Sequence, residues 1–400
     1  MAKGKALIAQ AGGPTAVINA SLAGIISQAK NSPAIEQVLG CHFGMLGLIE
    51  DNLVNLSAET PAAIEGLKRT PGSALGSSRY KLSEKDMPRV LEIFKKHDIH
   101  YFFGIGGNDT MLNVYQVEKY CREQGYECFG MGCPKTVDND LFGTDHTPGF
   151  PTAARYVALS IMQAGILAKD MQKVDQYVIY QTIGRDAGWL AAAAYAAKRD
   201  EADPPHIILI PEIPFDSDKF FAKFETAYKK FGYVSIICGE GIVFADGTPV
   251  SASQVKDNFS NIEFGAMGGT SAAMMLHKMI GEKTKFRGEF QVPESLPMCS
   301  ADRTPATDIE EAFRLGQKAV DMALEGTSGL MTTLVRTSNQ PYTTEIGTIP
   351  LNEVAAKTKP LPAEYIAEDG MMVTEAFRTY LDPLIGPLPE YTKLSFIPAN

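Results

Sequence analysis

Several familiar signals are missing from this 400-residue chain. Its six cysteines, at 41, 121, 128, 133, 238 and 299, form no C-x-x-C pair, and no histidine stands at zinc-ligand spacing from them. That removes the common structural zinc sites. For a large acidic chain such usage reads as reduced thiols in a cytosolic setting. No apolar stretch reaches the ~18 residues that suggest a membrane span. The longest, such as YVALSIMQAGILA at 156–168, fall short. MAKGKALIAQ at the start has too short an apolar run for a secretory signal. The sequons at Asn55, Asn108 and Asn258 therefore have no secretory context. Positive charge is in deficit, 37 Lys and Arg against 47 Asp and Glu. The net charge of -10 argues against nucleic acid or an anionic membrane as a partner. A cleft with local cations would still take a small anion. There is no P-loop, no protein-kinase signature set, no Ser-His-Asp constellation and no tandem repeat.

What is present is an ordinary globular composition, 45% hydrophobic and 21% charged, with enough apolar residues for a large core. The length suggests two or three domains. Strand-like runs at ALIAQ (6–10), YFFGI (101–105), ECFGM (127–131), QYVIYQT (176–182), HIILI (206–210) and VSIIC (234–238) alternate with helical patterns. The alternation predicts an α/β fold, with parallel or mixed sheets flanked by helices. Ligands bind such sheets beyond the carboxyl ends of their strands. Those ends read AGGPT, GGNDT, PKTVDND, IGRDAGW, PE and GEG. A break is expected at PGFPT, near 149–155. The tail from about 338 is rich in proline and turn residues.

Each strand end has two readings. AGGPT (11–15) is either a tight turn or a close backbone approach to an anion at a helix N-terminus. In GGND, Asn108 and Asp109 either cap a helix or offer oxygens to Mg²⁺. PKTVDND is the most informative. Asp138 and Asp140 flank Asn139, and such a pair divides labour, one accepting a hydroxyl proton and one holding a metal. Lys135 nearby suits phosphate charge. Arg185 in IGRDAGW suits charge developing on a transferring phosphoryl group, or simply pairs with Asp186. Glu212 in PE and the basic SSRYK segment (Arg79, Lys81) are weaker signals.

In this order, GG…NA (12–20), GSSRY, GGNDT, PKTVDND, GRDAGW and PE resemble the phosphofructokinase family, well over 5–215 and more loosely to about 395. The resemblance implies a two-sheet α/β fold with a catalytic cleft between sheets. It implies a donor-binding domain at 1–150 completed by part of 296–350, a sugar-phosphate domain at 151–295, and a C-terminal extension at 351–400. The implied reaction is reversible, Mg²⁺-dependent phosphoryl transfer to the 1-hydroxyl of fructose 6-phosphate, a step of glycolysis or gluconeogenesis. ATP-using members resemble G-G-D-G and P-G-T-I-D-N-D, and pyrophosphate-using members G-G-D-D and P-K-T-I-D-N-D. Asp109 and Lys135 stand at the deciding positions, so pyrophosphate is the expected donor, by bulk and by charge. By the same resemblance, Asp138 is the base, Thr136 touches the transferring group, and Arg185 stabilises it. Gly12, Gly13, Arg79, Gly107, Asn108 and Asp109 face the donor. Ile183, Gly184 and Glu212 shape the sugar site with Thr136, Asp138 and Arg185. Asn108, Asp109 and Asp140 hold the metal. A cytoplasmic homodimer or homotetramer is implied.

Three departures stand out. Asn108 replaces a metal-associated aspartate, and Ile183 replaces a methionine. The third is the family's late G-x-x-Q-R, whose arginine grips the sugar's 6-phosphate. Here that stretch reads ESLPM (294–298), with Met298 at the arginine's place. Losing such a charge-assisted contact costs about 1.5–3 kcal/mol, or ~10- to 100-fold in binding. Arg287 and Arg303 are the candidates to compensate. The departures leave two alternatives: another sugar phosphate as acceptor, such as sedoheptulose 7-phosphate, or a weakly active or inactive regulatory or partner subunit of the same family.

Overall fold

The computed structural model describes residues 3–78, 80–256, 263 and 265–395. Among them are eleven strands: β1 (Gly4–Gln10), β2 (Ile35–Cys41), β3 (Leu53–Asn55), β4 (Ile99–Gly106), β5 (Phe129–Pro134), β6 (Tyr177–Thr182), β7 (Ile207–Leu209), β8 (Val234–Gly239), β9 (Gly288–Gln291), β10 (Leu330–Asn339) and β11 (Tyr342–Pro350). Seven make a mixed sheet ordered β11-β10-β5-β4-β1-β2-β3, and four make a second sheet ordered β7-β8-β6-β9. In the first, β3 and β11 run antiparallel at the two edges and the rest are parallel. The second sheet is wholly parallel.

The apolar runs become central strands because both faces of the first sheet are covered. Leu7 and Ala9 of β1 enter one core with Phe94, Phe102, Met111 and Val114. Their neighbours Ala6 and Ile8 enter the other, with Ile18, Leu22, Tyr101 and Phe103. The helices Ile18–Lys30 and Ala306–Leu324 pack closely over that second face. A Cβ at Gly24 would overlap the Phe313 carbonyl, and one at Gly316 the Ser21 carbonyl, so the two backbones meet only because both positions are glycine.

PGFPT begins the helix Phe150–Asp170. Asp308 caps it: Oδ1 accepts from Gly149 N at 2.9 Å, and Oδ2 accepts from Thr152 N at 3.1 Å and Thr152 Oγ1 at 2.6 Å. The tail is more regular than its prolines suggest. It holds the β10–β11 ribbon and the helices Leu351–Ala355 and Glu375–Ile385. Beyond Leu334 the ribbon is half-exposed, so it lacks the apolar runs that marked the inner strands. AGWLAAAAYAAKR gives only a five-residue helix, Trp189–Ala193, followed by a 3₁₀ turn. No helix among the described residues is long and apolar enough to cross a membrane.

Candidate active site

The D-N-D stretch follows β5 and is shaped by its middle residue. Asn139 is fully buried and left-handed, with φ 57°. Its Oδ1 accepts from Thr147 N at 3.0 Å and Lys359 Nζ at 3.3 Å, and its Nδ2 donates to Tyr380 Oη at 2.9 Å. Asparagine tolerates this conformation better than most residues. With Asn139 anchored inward, Asp138 and Asp140 both border a cleft between the strand ends of the two sheets.

The cleft has two lobes. One, of ≈ 1000 Å³, is bordered by Gly12, Ser77, Tyr80, Lys81 and the start of the helix Asn108–Glu123. The other, of ≈ 430 Å³, is bordered by Ile183, Gly184, Asp186, Glu240, Glu263 and Glu294. Gly13, Lys135, Thr136, Asp138, Asp140, Arg185 and Met298 border both and form the junction. Every catalytic candidate from the sequence therefore meets at one place.

Burial dominates the junction's electrostatics. Burial pushes Asp138 up to about 7, helped by the charges of Asp140 and Glu240 and opposed by Lys135 and Arg185. Burial also pulls Lys135 down to about 8, against the pull of Asp138 and Asp140. Glu240, whose Oε1 accepts from Gly184 N at 3.2 Å, is raised to about 7 by burial. Asp140 is raised as well, burial first. A base near neutrality beside a weakened lysine is the pairing that acid–base work at neutral pH needs.

In the larger lobe Lys135 Nζ donates to the Gly13 carbonyl and would lie 3.3 Å from a Cβ on Gly12, whose φ is +75°. The lysine thus lies across the glycine turn. Asp109 sits at the rim, paired with Lys81 at 2.8 Å, its side chain 62% exposed. That pairing and exposure make it a poorer metal ligand than expected. Arg79 lies outside the described residues.

Among the described residues, no cluster of three or more His, Cys, Asp or Glu side chains is placed to hold a metal. Mg²⁺ rarely asks for one, since it keeps waters and shares substrate phosphates. A sparse site fits what is here. Asn108 Oδ1 is buried with no hydrogen-bond partner among the described residues, and Asp140 borders the same lobe.

Three expected sugar-site residues stand elsewhere. Glu212 is a fold anchor: Oε1 accepts from Gly188 N at 2.9 Å and Leu361 N at 2.8 Å, tying the turn after β6 to the C-terminal segment. Arg287 is an outward-facing residue, 74% exposed and 3.6 Å from Asp175. Arg303 lies over the Tyr156 ring at 4.3 Å and donates to Tyr156 O and Ser160 Oγ, both at 3.3 Å. None of the three borders either lobe. Sequence reasoning in turn missed Thr15, Glu263 and Lys359. Glu240 was present only as the middle of GEG, a strand end without a motif.

Comparison with known proteins gives a consistent result. The family model described as Phosphofructokinase matches residues 5–323. A pyrophosphate–fructose 6-phosphate 1-phosphotransferase of Halomonas elongata is 37% identical over 392 residues, 96% of this chain and 92% of that protein. A sulfofructose kinase of Alkalicoccus urumqiensis is 31% identical over 388 residues, 96% of this chain and 97% of that one. Among solved structures, a pyrophosphate-dependent phosphofructokinase from Nitrosospira multiformis superposes with a TM-score of 0.88 at 35% identity, covering 99% of this chain and 95% of that one.

Proposed function

This chain belongs to the phosphofructokinase family, and from that premise we propose that it moves a phosphoryl group reversibly between pyrophosphate and a sugar hydroxyl. The observation that carries the reading is Lys135. It is 2% exposed, borders both lobes and is bonded to the Gly13 carbonyl. It fills space against the glycine turn and offers a cation to a donor that has no nucleoside. The relatives' names supply fructose 6-phosphate as the acceptor, reacting at its 1-hydroxyl to give fructose 1,6-bisphosphate.

Asp138 takes the proton of the attacking hydroxyl, and its raised pKa matches that task near neutrality. The freed oxygen attacks the nearer phosphorus of pyrophosphate, the bridging P–O bond breaks, and orthophosphate leaves. Arg185 and Lys135 meet the charge on the transferring group from the junction, and Thr136 offers a hydroxyl there. Catalysis of this kind is chiefly positioning and electrostatics. Asn108 and Asp140 would hold Mg²⁺, which supplies charge neutralisation to the donor phosphates. The donor domain, in this reading, is the seven-stranded sheet with its helices, and the acceptor domain the four-stranded one.

A second reading keeps the donor and changes the acceptor. ESLPM at 294–298 favours it, and so does a full-length relative named for sulfofructose. An inactive partner subunit fits poorly with Asp138, Lys135 and Arg185 meeting in one cleft. Turnover of the purified chain with pyrophosphate and with ATP tests the reading. Pyrophosphate is the expected donor, with activity lost in Asp138→Ala. Turnover with ATP and none with pyrophosphate would remove it.

A further inference from the structure

The loop beyond the D-N-D turn packs against the turn from the protein's interior. Thr147 N donates to Asn139 Oδ1 at 3.0 Å, and Thr147 Oγ1 donates to the Thr136 carbonyl at 2.8 Å. Gly149 forms a parallel bridge with Thr136. The strap 144–149 therefore holds a residue of the junction and the middle residue of the turn. His146 lies inside that strap with no exposed surface, and it borders neither lobe. Its Nδ1 is 2.8 Å from Asp145 Oδ2, and its Nε2 is 2.8 Å from Glu311 Oε2.

Both ring nitrogens thus face carboxylate oxygens, which only accept when ionised. A neutral imidazole has a single N–H, so only the imidazolium donates to both partners. Burial opposes that charge, and the bonds and charges of Asp145 and Glu311 outweigh it, so His146 stands above its ordinary value. The two carboxylates have further donors. Asp145 accepts from Arg336, Nη2 at 2.8 Å and Nε at 3.1 Å. Glu311 Oε1 accepts from Tyr342 Oη at 2.8 Å and Thr344 Oγ1 at 2.7 Å. Asp308, one turn before Glu311 on the helix Ala306–Leu324, holds Gly149 N and is pushed up to about 6 by burial. Lys359 and Tyr380 reach the strap at its backbone carbonyls. Two buried carboxylates set on one ring are stable only while the ring is charged, because an uncompensated buried charge is costly.

We propose that His146 is a positioning residue, an imidazolium clamped between Asp145 and Glu311 that fixes the 144–149 strap and, through Thr147, the backbone of Thr136 and the posture of Asn139. The proposal rests on the phosphoryl-transfer reading, since Thr136 and the aspartates flanking Asn139 act through that chemistry. The ring exchanges no proton with a substrate, because it borders neither lobe. Its charge holds two carboxylates together, and the catalytic turn keeps its place against the helix Ala306–Leu324.

The test uses the full chain. Ring-nitrogen NMR of histidine-labelled protein is recorded above about pH 8, where an ordinary imidazole is neutral. One ring should keep both N–H signals there, and that pair should vanish in His146→Gln. In the same variant kcat with pyrophosphate should fall ~10- to 100-fold, as small misplacements of reacting groups do, while KM for donor and acceptor stays within about 3-fold. If His146→Gln does not fold, Glu311→Gln takes its place. Its amide oxygen still accepts from Tyr342 and Thr344, and its N–H donates to a neutral ring nitrogen, so the ring should lose its second N–H and kcat should fall likewise. Hydrogen exchange across 134–149 reads the same posture without turnover. A chain inactive with pyrophosphate would defeat the reaction reading, and exchange would still decide the role of His146. Faster exchange in the variant supports the proposal. Unchanged exchange, an unchanged kcat, a loss carried wholly by KM, or a neutral ring in the wild type overturns it.

Discussion

Asn139 Nδ2 donates to the Tyr380 hydroxyl at 2.9 Å, across 241 residues of chain. The same hydroxyl donates to the Asp145 carbonyl at 3.0 Å. One side chain of the helix Glu375–Ile385 therefore holds both the middle of the D-N-D turn and the loop beyond it. In Tyr380→Phe a buried amide and a buried carbonyl each lose this partner, and we expect ~1–3 kcal/mol of lost stability. We expect kcat to fall more than KM rises, because Asp138 loses its setting while the donor lobe is untouched. Denaturant unfolding with steady-state kinetics checks both, and an unchanged kcat would remove Tyr380 from any positioning role.

The pH profile follows from Asp138 and Lys135. The base must be ionised, so kcat/KM should rise with pH through about 7, where burial has moved Asp138. The lysine must be protonated, so kcat/KM should fall above about 8, to which burial has lowered Lys135. A narrow bell is expected once the donor's own ionisation is corrected for. Glu240 is among the charges that raise Asp138, so Glu240→Gln should move the acid limb to lower pH. An acid limb that stays in place would assign it to another group.

Donor choice is testable at two positions. Lys135→Gly with Asp109→Gly removes the side chain lying across the glycine turn and the carboxylate at the rim. Loss of the charge-assisted contact from Lys135 should lower kcat/KM for pyrophosphate by ~10- to 100-fold, and turnover with ATP should appear or rise. If the variant keeps its full preference for pyrophosphate, neither residue is the discriminator.

Arg287 and Arg303 were natural candidates to grip an anionic acceptor, and neither borders the lobes of its own chain. We expect Arg287→Ala and Arg303→Ala to leave acceptor KM within about 3-fold of wild type, as remote surface changes generally do. Arg303→Ala should cost about 1 kcal/mol of stability, since its guanidinium lies over Tyr156. A tenfold rise in acceptor KM in either variant would show that the side chain reaches the acceptor after all.

How much of this was legible beforehand depends on where the physics was local. The strands β1, β4, β5, β6 and β8 and the glycine-rich ends were readable because a strand buried on both faces is written as an apolar run, whereas β2, also an inner strand, was not named. The junction residues Lys135, Thr136, Asp138 and Arg185 were readable because they sit in short motifs at strand ends. The acceptor lobe was readable only at Ile183, Gly184 and the altered ESLPM segment. Thr15, Glu240, Glu263 and Glu294 come from four separate segments and share no spacing. Glu212 carries bonds that its strand end does not announce. A carboxylate at a strand end looks like a ligand group until its partners, Gly188 N and Leu361 N, are known. The ribbon of β10 and β11 was missed because its outer half is only partly buried, which leaves no periodic apolar signal.

The clamp beneath the D-N-D turn bears on how the protein is made. Lys359 Nζ donates to the carbonyls of Thr144 at 3.1 Å and Asp145 at 2.9 Å, and Tyr380 holds Asn139 from the other side. A ribosome delivers the chain from its N-terminus, so the motifs that carry the chemistry emerge early and the residues that set their posture emerge near the end. The last strand of the first sheet ends at Pro350, shortly before Lys359 and ahead of Tyr380. A chain truncated before Lys359 would carry the strands of both sheets but neither of these side chains that hold the turn, and it would also lose Phe377, Leu381 and Leu384 from the core.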